Sequence, residues 1–322
     1  INLSILMNKK QKIVVVAGPT ASGKSDLAVK IAKKFNGEII SADSRQVYRG
    51  MDIGSGKITK KEMEGVPHYL LDVASPKQRF TVAQFKKLAD KAIENIARRN
   101  KLPIICGGTG FYIQAVIDDL LIPQIKPDFK LRARLEKKTT EELFAELKKL
   151  DPRRAKNIDR RNPRRLIRAL EIIYKTGQVV PSIYNSPQPS LKLREGAPPL
   201  ILRGGWEELN LLFLGIKKSP EELARRIKIR LEKRLKQGMI KEVERLREQG
   251  ISWKRLESFG LEYRWLARFL QNKISREEMI ERLQKDIGHF AKRQMTWFKR
   301  DPRIRWVENS KQAENLLKKF IA

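Results

Sequence analysis

Short, mainly apolar runs alternate along the chain with stretches in which apolar residues recur at helical spacing. The runs at 12–17, 38–42, 102–106 and 211–216 are typical of strands buried on both faces of a parallel sheet. A last short strand is expected at 305–307. Apolar residues recur every three or four positions after the first run, and again over 80–99. The alternation predicts a doubly wound α/β fold.

The pattern changes near residue 123, after which 126–176 is helical and strongly basic. Two proline-rich stretches, 181–189 and 198–199, are expected to form a connecting loop. The strand pattern then returns at 211. We therefore predict a core domain formed by 1–122 and 200–322, interrupted by an all-helical insertion at 123–199.

Two helix starts are expected in the second half of the core. Ser219 is followed by Pro220 at the first helical position and by Glu222 three residues after the serine. Ser275 and Glu278 repeat the same spacing before a long helix. A serine that caps a helix and a glutamate that bonds back to it form a capping box, so both helices are predicted to begin in this way.

The stretch GPTASGKS matches the phosphate-binding pattern GxxxxGK[ST] and lies between a predicted strand and a predicted helix. Its backbone N–H groups can face inward as an anion nest, Lys24 can add a positive charge, and the Ser25 hydroxyl can ligate Mg²⁺. The candidate diphosphate-binding residues are Gly18, Thr20, Ala21, Ser22, Gly23, Lys24 and Ser25. Together with the strand pattern, the loop predicts a core like that of P-loop NTPases. It indicates a bound diphosphate in a kinase, an NTPase or a transferase whose leaving group is diphosphate.

Two further loops follow predicted strands and are expected at the same crevice, because ligands of open α/β sheets lie at the carboxyl ends of the strands. Asp43 follows the second strand. It could act as a Mg²⁺ ligand, as a general base or as a cap on the next turn. Gly107, Gly108, Thr109 and Gly110 follow a later strand, either as part of the site or as a plain turn into a helix.

The chain has 69 lysines and arginines against 37 aspartates and glutamates, a net charge of +32. This excess favours a polyanionic partner, most simply nucleic acid, over a generally basic solvated surface. Basic residues concentrate in one stretch of the insertion: Arg153, Arg154, Lys156, Arg160, Arg161, Arg164, Arg165 and Arg168. They form either a solvated helix face or a surface for RNA phosphates.

Arg226 and Arg230, one helical turn apart, could reach a diphosphate or RNA, or lie on a plain surface face.

Cys106 is the only cysteine, which excludes a disulfide framework and a zinc finger and fits a reducing cytoplasm. It is expected as a buried residue at a strand end. The two histidines, His68 and His289, are interpreted as structural.

The chain has no run of apolar residues long enough for a transmembrane helix. Met7 is a candidate for the natural start, with 1–6 as an upstream extension.

Seven stretches carry more information together than the phosphate loop does alone. They are GPTASGKS (18–25), DSRQVYRGMDIGSGK (43–57), VPHYLLDV (66–73), CGGTGFYI (106–113), LRARLE (131–136), NPRRLIRALEI (162–172) and KRQMTWFKRDPRIRWV (292–307). In this order, over nearly the whole chain, they resemble the tRNA dimethylallyltransferase (tRNA isopentenyltransferase) family. The missing zinc finger suits the bacterial type. The resemblance implies transfer of a dimethylallyl group from dimethylallyl diphosphate to N6 of the adenosine just 3′ of the anticodon.

The resemblance also implies roles for particular residues. Asp43 matches the catalytic base and is expected to act with Lys24 and Thr109, while the phosphate loop holds the diphosphate with Mg²⁺. The implied tRNA-contacting residues are Asp43, Ser44, Arg45, Gln46, Thr109, Arg132, Arg164, Arg165, Leu166, Ile167 and Arg168. Many bacterial members carry a Gly-Tyr pair where this chain has Gly260-Leu261-Glu262-Tyr263, so RNA contacts are not carried over there. The partner is then the tRNA anticodon stem-loop, and a cytoplasmic monomer is expected.

Three other functions remain open from the sequence. An adenylate isopentenyltransferase would use free nucleotides, but the basic insertion disfavours it because a free nucleotide needs no such clamp. A small-molecule kinase would use the same phosphate loop for γ-phosphoryl transfer from ATP. A non-catalytic RNA-binding protein would leave tRNA unchanged in the presence of prenyl donor and Mg²⁺.

Overall fold

A computed structural model describes residues 12–120, 122–123, 125–179 and 210–322. The chain divides into two compact units, an α/β unit formed by Ile1–Ile117 with Gly205–Ala322, and a helical unit formed by Asp118–Gly204. The proposed start at Met7 and both proline-rich stretches, 181–189 and 198–199, lie outside the described residues.

The α/β unit contains a six-stranded sheet in the order β3-β2-β4-β1-β5-β6, with every pairing parallel. The strands are β1 (Lys12–Ala17), β2 (Gly37–Ser41), β3 (His68–Tyr69), β4 (Leu102–Gly107), β5 (Asn210–Ile216) and β6 (Arg305–Val307). The five predicted strands are confirmed to within one residue at each end, and so is the parallel sheet flanked by helices. Strand β3 was not predicted, because two residues are too few to show a pattern.

Fourteen helices are present in the described ranges. They are α1 (Lys24–Lys34), α2 (Lys60–Met63), α3 (Val82–Arg98), α4 (Gly110–Ile117), α5 (Phe129–Leu135), α6 (Thr140–Leu150), α7 (Pro152–Asn157), α8 (Pro163–Thr176), α9 (Pro220–Lys236), α10 (Met239–Glu248), α11 (Trp253–Phe259), α12 (Leu261–Leu270), α13 (Arg276–Phe298) and α14 (Ser310–Ile321). Helices α5 to α8 belong to the helical unit. None of these helices has the length and apolar character that a membrane span requires.

The alternation of side chains along β1 divides the core of the α/β unit into two layers. Ile13 and Val15 pack with α3 and α4 on one face of the sheet. Val14 and Val16 pack with α1 and α14 on the other face. Both faces of the strand are thus buried, which explains why its sequence is continuously apolar.

The strand register brings three loops to one edge of the sheet. Ala17 at the end of β1 pairs with Gly107 at the end of β4, and Ser41 at the end of β2 pairs with Cys106. The loops that follow these strands carry the phosphate-binding motif, Asp43 and Thr109. They are therefore neighbours at the carboxyl edge, as expected for a ligand site in an open α/β sheet.

The helical unit has a small apolar core of its own. Leu143 and Leu147 of α6 pack with Leu166 and Leu170 of α8. Helix α8 is bounded by local signals: the Asn162 side chain caps its first turn, and Gly177 ends it in a left-handed conformation at φ 65°. The predicted helical character of 126–176 is confirmed.

The two predicted serine caps are present, but the expected return bonds from the glutamates are not. The side chains of Ser219 and Ser275 accept from the backbone N–H groups of Glu222 and Glu278. The Glu222 carboxylate instead pairs with Arg225 and Arg226, and that of Glu278 with Arg282. The prediction of complete capping boxes was therefore wrong, because basic residues one turn along the helix engage both carboxylates.

Candidate active site

The phosphate-binding loop has the geometry of an anion site at a helix N-terminus. Gly23 adopts φ 89° immediately before α1 begins at Lys24, and Ala21 also lies in the left-handed region at φ 61°. Such alternation turns successive backbone N–H groups toward one side, where an anion can lie. Lys24 donates from Nζ to the carbonyl oxygen of Pro19 at 3.3 Å. Burial lowers the pKa of Lys24.

A cavity of about 630 Å³ lies at the carboxyl edge of the sheet and gathers most of the predicted site. Among its lining residues are Thr20, Ala21, Gly23, Lys24, Ser25, Asp43, Ser44, Arg45, Gln46 and Thr109. Two of the candidate diphosphate-binding residues do not line this cavity. Gly18 lies behind the loop, where a Cβ would come within 2.8 Å of Ser22 Oγ. Ser22 lines a separate, smaller cavity of about 140 Å³.

Asp43 has one carboxylate oxygen engaged and one that faces no described donor. Its Oδ1 accepts from the backbone N–H of Arg45 at 2.8 Å and from that of Gln46 at 3.4 Å. No hydrogen bond from the described residues reaches Oδ2. The capping role considered for Asp43 is therefore present in the structure. Asp43 also lines the cavity.

Thr109 fixes the loop that carries Asp43. Its Oγ1 accepts from the backbone N–H of Ser44 at 3.0 Å, while its own N–H donates to the carbonyl oxygen of Ala42 at 3.1 Å. The approach of the two loops is close, since a Cβ on Gly107 would lie 2.2 Å from that same carbonyl oxygen. A glycine is thus required there, and the threonine sets the position of the residue next to Asp43.

Gln294, near the C-terminal end of α13, joins the phosphate loop to the loop after β4. Its Oε1 accepts from the backbone N–H of Thr20 at 2.8 Å, and its Nε2 donates to the carbonyl oxygen of Gly108 at 2.8 Å. One turn later, Trp297 lies 2.2 Å from where a Cβ on Gly110 would be. These contacts explain why the stretch KRQMTWF accompanies CGGTG. Sequence reasoning gave Gln294 no role, because no local pattern marks such a bridge.

Arg45 and Gln46, both expected to contact tRNA, make hydrogen bonds within the protein. Arg45 donates from Nε to the carbonyl oxygen of Phe259 at 2.7 Å. Gln46 donates from Nε2 to the carbonyl oxygen of Gly56 at 3.1 Å and accepts from Ser41 Oγ at 3.1 Å. Both side chains line the cavity and at the same time fasten its wall.

Arg226 and Arg230, whose placement the sequence left open, both line the cavity. Arg226 pairs from Nε with Glu222 at 2.6 Å. Arg230 donates from Nη2 to the carbonyl oxygen of Gly56 at 3.3 Å, and no carboxylate in the described chain bonds to it. Burial, followed by the charge of neighbouring Arg234, lowers the pKa of Arg230 to about 10. A desolvated guanidinium without a hydrogen-bonded counter-ion makes this part of the cavity suited to an anion.

Glu242 is a structural anchor that the sequence analysis missed. Its carboxylate accepts the backbone N–H groups of Asp52, Ile53 and Gly54 at 2.8, 2.6 and 3.0 Å. It also accepts from the Tyr263 hydroxyl at 2.8 Å. The side chain is buried within the otherwise apolar face of α10. An acidic residue in an apolar stripe was the available signal, since a buried carboxylate needs such donors.

The stretch that departs from the family pattern is folded inward. Gly260 adopts φ 75° and ψ −173°, a conformation almost restricted to glycine, and Leu261 follows at φ 42°. Glu262 and Tyr263 are buried. Leu261 lines the cavity with Arg264. Tyr263 is absent from the cavity lining, whereas Glu262 also lines it.

In the helical unit, two predicted RNA-contacting arginines surround one buried acid. The Glu171 carboxylate accepts from Arg132 at 2.8 and 2.7 Å and from Arg168 at 2.5 Å. Although burial opposes it, these bonds and the N–H of Asp128 lower the pKa of Glu171 to about 2. Leu166 and Ile167 are buried in the core, whereas Arg164 and Arg165 are exposed. Of the predicted RNA-contacting side chains in this stretch, those of Arg164 and Arg165 are therefore the most accessible.

The remaining candidates have modest roles. Cys106 is buried at the end of β4, as predicted, and burial raises the pKa of its thiol to about 12. The Nδ1–H group of His68 donates to the carbonyl oxygen of Val66 at 2.8 Å, which fits a structural residue. The described parts of the chain hold no group of three His, Cys, Asp or Glu side chains suited to a metal.

The sheet and its loop define a P-loop protein whose cavity joins an anion site to a carboxylate. A family model described as IPP transferase matches residues 46–301. This chain belongs to that family.

Individual relatives agree along nearly the whole chain. The sequence is 39% identical over 304 residues to a tRNA dimethylallyltransferase of Pelotomaculum thermopropionicum, covering 94% of this chain and 92% of that protein. It is 39% identical over 319 residues to one of Carboxydothermus hydrogenoformans, covering 97% and 96%. A full-length tRNA isopentenylpyrophosphate transferase from Bacillus halodurans has a TM-score of 0.69 at 34% identity, covering 97% of both chains. A eukaryotic dimethylallyltransferase acting on tRNA gives 0.75 at 28% identity, covering 93% of this chain and 74% of that one.

Proposed function

We propose that this protein transfers a dimethylallyl group from dimethylallyl diphosphate to N6 of the adenosine 3′-adjacent to the anticodon in tRNA. The products are N6-dimethylallyladenosine and diphosphate. The observation that carries the proposal is one cavity, lined by both the phosphate loop and Asp43, in a member of the IPP transferase family. The proposed active form is a monomer.

The phosphate loop binds the diphosphate of the donor. Its backbone N–H groups and Lys24 provide the positive field, and Arg226 and Arg230 extend that field along the cavity wall. Negative charge builds on the leaving oxygen as the allylic C–O bond breaks. Donors fixed in advance around that position stabilise the transition state more than the ground state.

Mg²⁺ fits this site through a small set of oxygen ligands. Ser25 lies in the first turn of α1 and lines the cavity, as a hydroxyl ligand must. Mg²⁺ is commonly held by few protein groups together with substrate phosphates. When bound, the ion would neutralise charge on the diphosphate.

Asp43 accepts the proton that the adenine amine loses. The exocyclic N6 is a weak nucleophile because its lone pair is delocalised into the ring. Its electron pair forms the bond to the allylic carbon, the C–O electrons leave with the diphosphate, and an N6 proton passes to Oδ2 of Asp43. Since Oδ1 is held by the turn, the other oxygen is oriented for this transfer. General base catalysis of this kind contributes about 10²–10⁴-fold.

The basic surface recognises the anticodon stem-loop. A net charge of +32 and the exposed Arg164 and Arg165 favour binding to phosphates. A base stacked in an anticodon loop must be extruded before its N6 can enter a crevice, so the RNA must be held while the base is flipped.

The test is mass spectrometry of an unmodified anticodon stem-loop incubated with the protein, dimethylallyl diphosphate and Mg²⁺. We expect the mass gain of one dimethylallyl group, and none when guanosine replaces the target adenosine. Prenylation of AMP but not of the stem-loop would indicate an adenylate isopentenyltransferase. Phosphoryl transfer from ATP would indicate a kinase, and RNA binding without modification would leave only a binding protein.

A further inference from the structure

A buried ion pair lies beside the cavity but is not part of the chemistry described above. Arg234 of α9 and Glu262 of α12 are 9% and 8% exposed. Arg234 donates from Nη1 to Glu262 Oε1 at 3.1 Å and to the carbonyl oxygen of Gly54 at 3.3 Å. The guanidinium therefore bridges a helix start and a loop of the cavity wall.

The same loop is held from its other side and supports Arg230. Glu242 takes the N–H group of Gly54, whereas Arg234 takes the carbonyl oxygen of that residue. Two residues later, the carbonyl oxygen of Gly56 accepts from Arg230 at 3.3 Å and from Gln46 at 3.1 Å. The position of the loop thus determines where the Arg230 guanidinium is fixed.

The two arginines are also packed against one glycine. A Cβ on Gly56 would lie 1.5 Å from Nη2 of Arg234 and 2.5 Å from Nη2 of Arg230. Two guanidinium groups this close repel each other, and the carboxylate of Glu262 offsets the charge of Arg234. The pair adds hydrogen-bond donors beside Arg230 without adding net charge.

Stability alone is a weak explanation for such a pair. Apolar residues of similar volume often replace a buried ion pair at little cost, or with a gain in stability. Arg234 also contacts the loop that holds Arg230, and both arginines line the cavity. An effect on ligand binding accounts for these contacts better than a contribution to the core does.

We propose that Arg234, neutralised by Glu262, is a positioning residue that fixes the Gly54–Gly56 loop and so directs the Arg230 guanidinium toward a bound diphosphate. The assignment of the ligand rests on the proposed function. The positioning of Arg230 by Arg234 requires only a bound diphosphate, and neither a prenyl group nor RNA.

The test measures the affinity for inorganic pyrophosphate by calorimetry at fixed Mg²⁺ in two charge-balanced variants. Arg234→Lys keeps the charge but loses the planar fork that spans Gly54 and Glu262. The double variant Arg234→Met with Glu262→Gln removes both charges. We expect each to weaken pyrophosphate binding about tenfold, as loss of supporting residues around a ligand site commonly does. Arg225→Met, on the exposed face of the same helix, is the matched control and should leave affinity unchanged.

A double-mutant cycle separates positioning from general stability. Arg230→Met should weaken pyrophosphate binding strongly in the parent protein but only slightly in the Arg234→Lys background, because Arg230 is no longer directed there. Additive effects, or unchanged affinity in Arg234→Lys, would overturn the proposal. So would failure of both charge-balanced variants to fold, since the pair would then serve stability. If the parent binds pyrophosphate but modifies no tRNA, the proposed function fails while this proposal stands.

Discussion

Buried polar side chains in the cavity wall and in the helical unit have different kinds of partner. In the helical unit, the described buried glutamate Glu171 binds two arginines and closes a small apolar core. In the α/β unit, buried Glu38 likewise pairs with basic side chains, those of Arg99 and Lys101. Around the cavity, however, the buried side chains of Glu242, Gln294 and Arg234 bond mainly to backbone groups of loops, and these contacts shape the site.

This difference separates the expected effects of substitutions. Changes among the loop-binding residues of the α/β unit should alter affinity and turnover even where they touch no substrate. Changes inside the helical unit should alter stability or RNA affinity and leave the chemistry intact.

The largest effect is expected at the carboxylate of the cavity. Asp43→Asn keeps an oxygen that can accept from Arg45 and Gln46 but removes the proton acceptor. Turnover should fall about 10²–10⁴-fold, with donor and tRNA affinities within a few-fold of the parent. Single-turnover prenylation and separate binding measurements check this.

Lys24→Ala is the comparison for that variant. Because Lys24 belongs to the diphosphate site, its loss should weaken donor binding as well as rate. If Asp43→Asn and the parent have equal turnover, Asp43 is not the proton acceptor. Its role is then limited to capping the turn that follows it.

A second effect, about tenfold to a hundredfold in kcat/KM, is expected for Gln294→Leu. The substitution keeps the volume of the side chain but breaks the bonds to Thr20 and Gly108. Donor KM should rise, because a backbone N–H of the phosphate loop and the loop after β4 are no longer held together. Gln284→Leu, exposed on the same helix, is the control. If the two variants behave alike, the bridge has no role in the site.

The sequence predicted local features well and long-range polar contacts poorly. The apolar run of β1 and the glycines of the phosphate loop determine their own conformations, so their positions were correct. Glu242 and Gln294 act through partners about 190 and 186–274 residues away, which no local pattern reveals. The expected hydrogen bonds from Glu222 and Glu278 back to the helix starts are absent, since arginines one turn along each helix pair with these carboxylates.

A third, smaller effect tests the exposed face of the helical unit. The double variant Arg164→Ala, Arg165→Ala should weaken stem-loop binding about tenfold, if both residues contact phosphates. The slope of log affinity against log salt concentration should then become shallower by about two. Pyrophosphate affinity should not change. Filter binding over a range of salt concentrations checks both.

A matched charge control distinguishes a binding face from the overall basic charge. Lys87 and Lys91 are exposed one turn apart on α3 of the α/β unit. Their replacement by alanine removes the same net charge. An equal loss of stem-loop affinity in both double variants would indicate that the general field, rather than these arginines, binds the RNA.

The smallest effect on the site is expected for Glu171→Gln, because its consequences should be confined to the stability of the fold and its dependence on pH. Hydrogen bonds hold the pKa of Glu171 at about 2, below its ordinary value of 4.5. A carboxylate whose pKa is lowered by folding stabilises the folded state at pH values above its ordinary pKa. This contribution is lost as pH falls from about 4.5 toward 2. The variant should therefore be less stable at neutral pH and lose less of its stability over that acid range. Melting curves between pH 7 and pH 3 check this. Unchanged pyrophosphate affinity at neutral pH is required as well, since a shift there would show that buried charge in the helical unit also shapes the site.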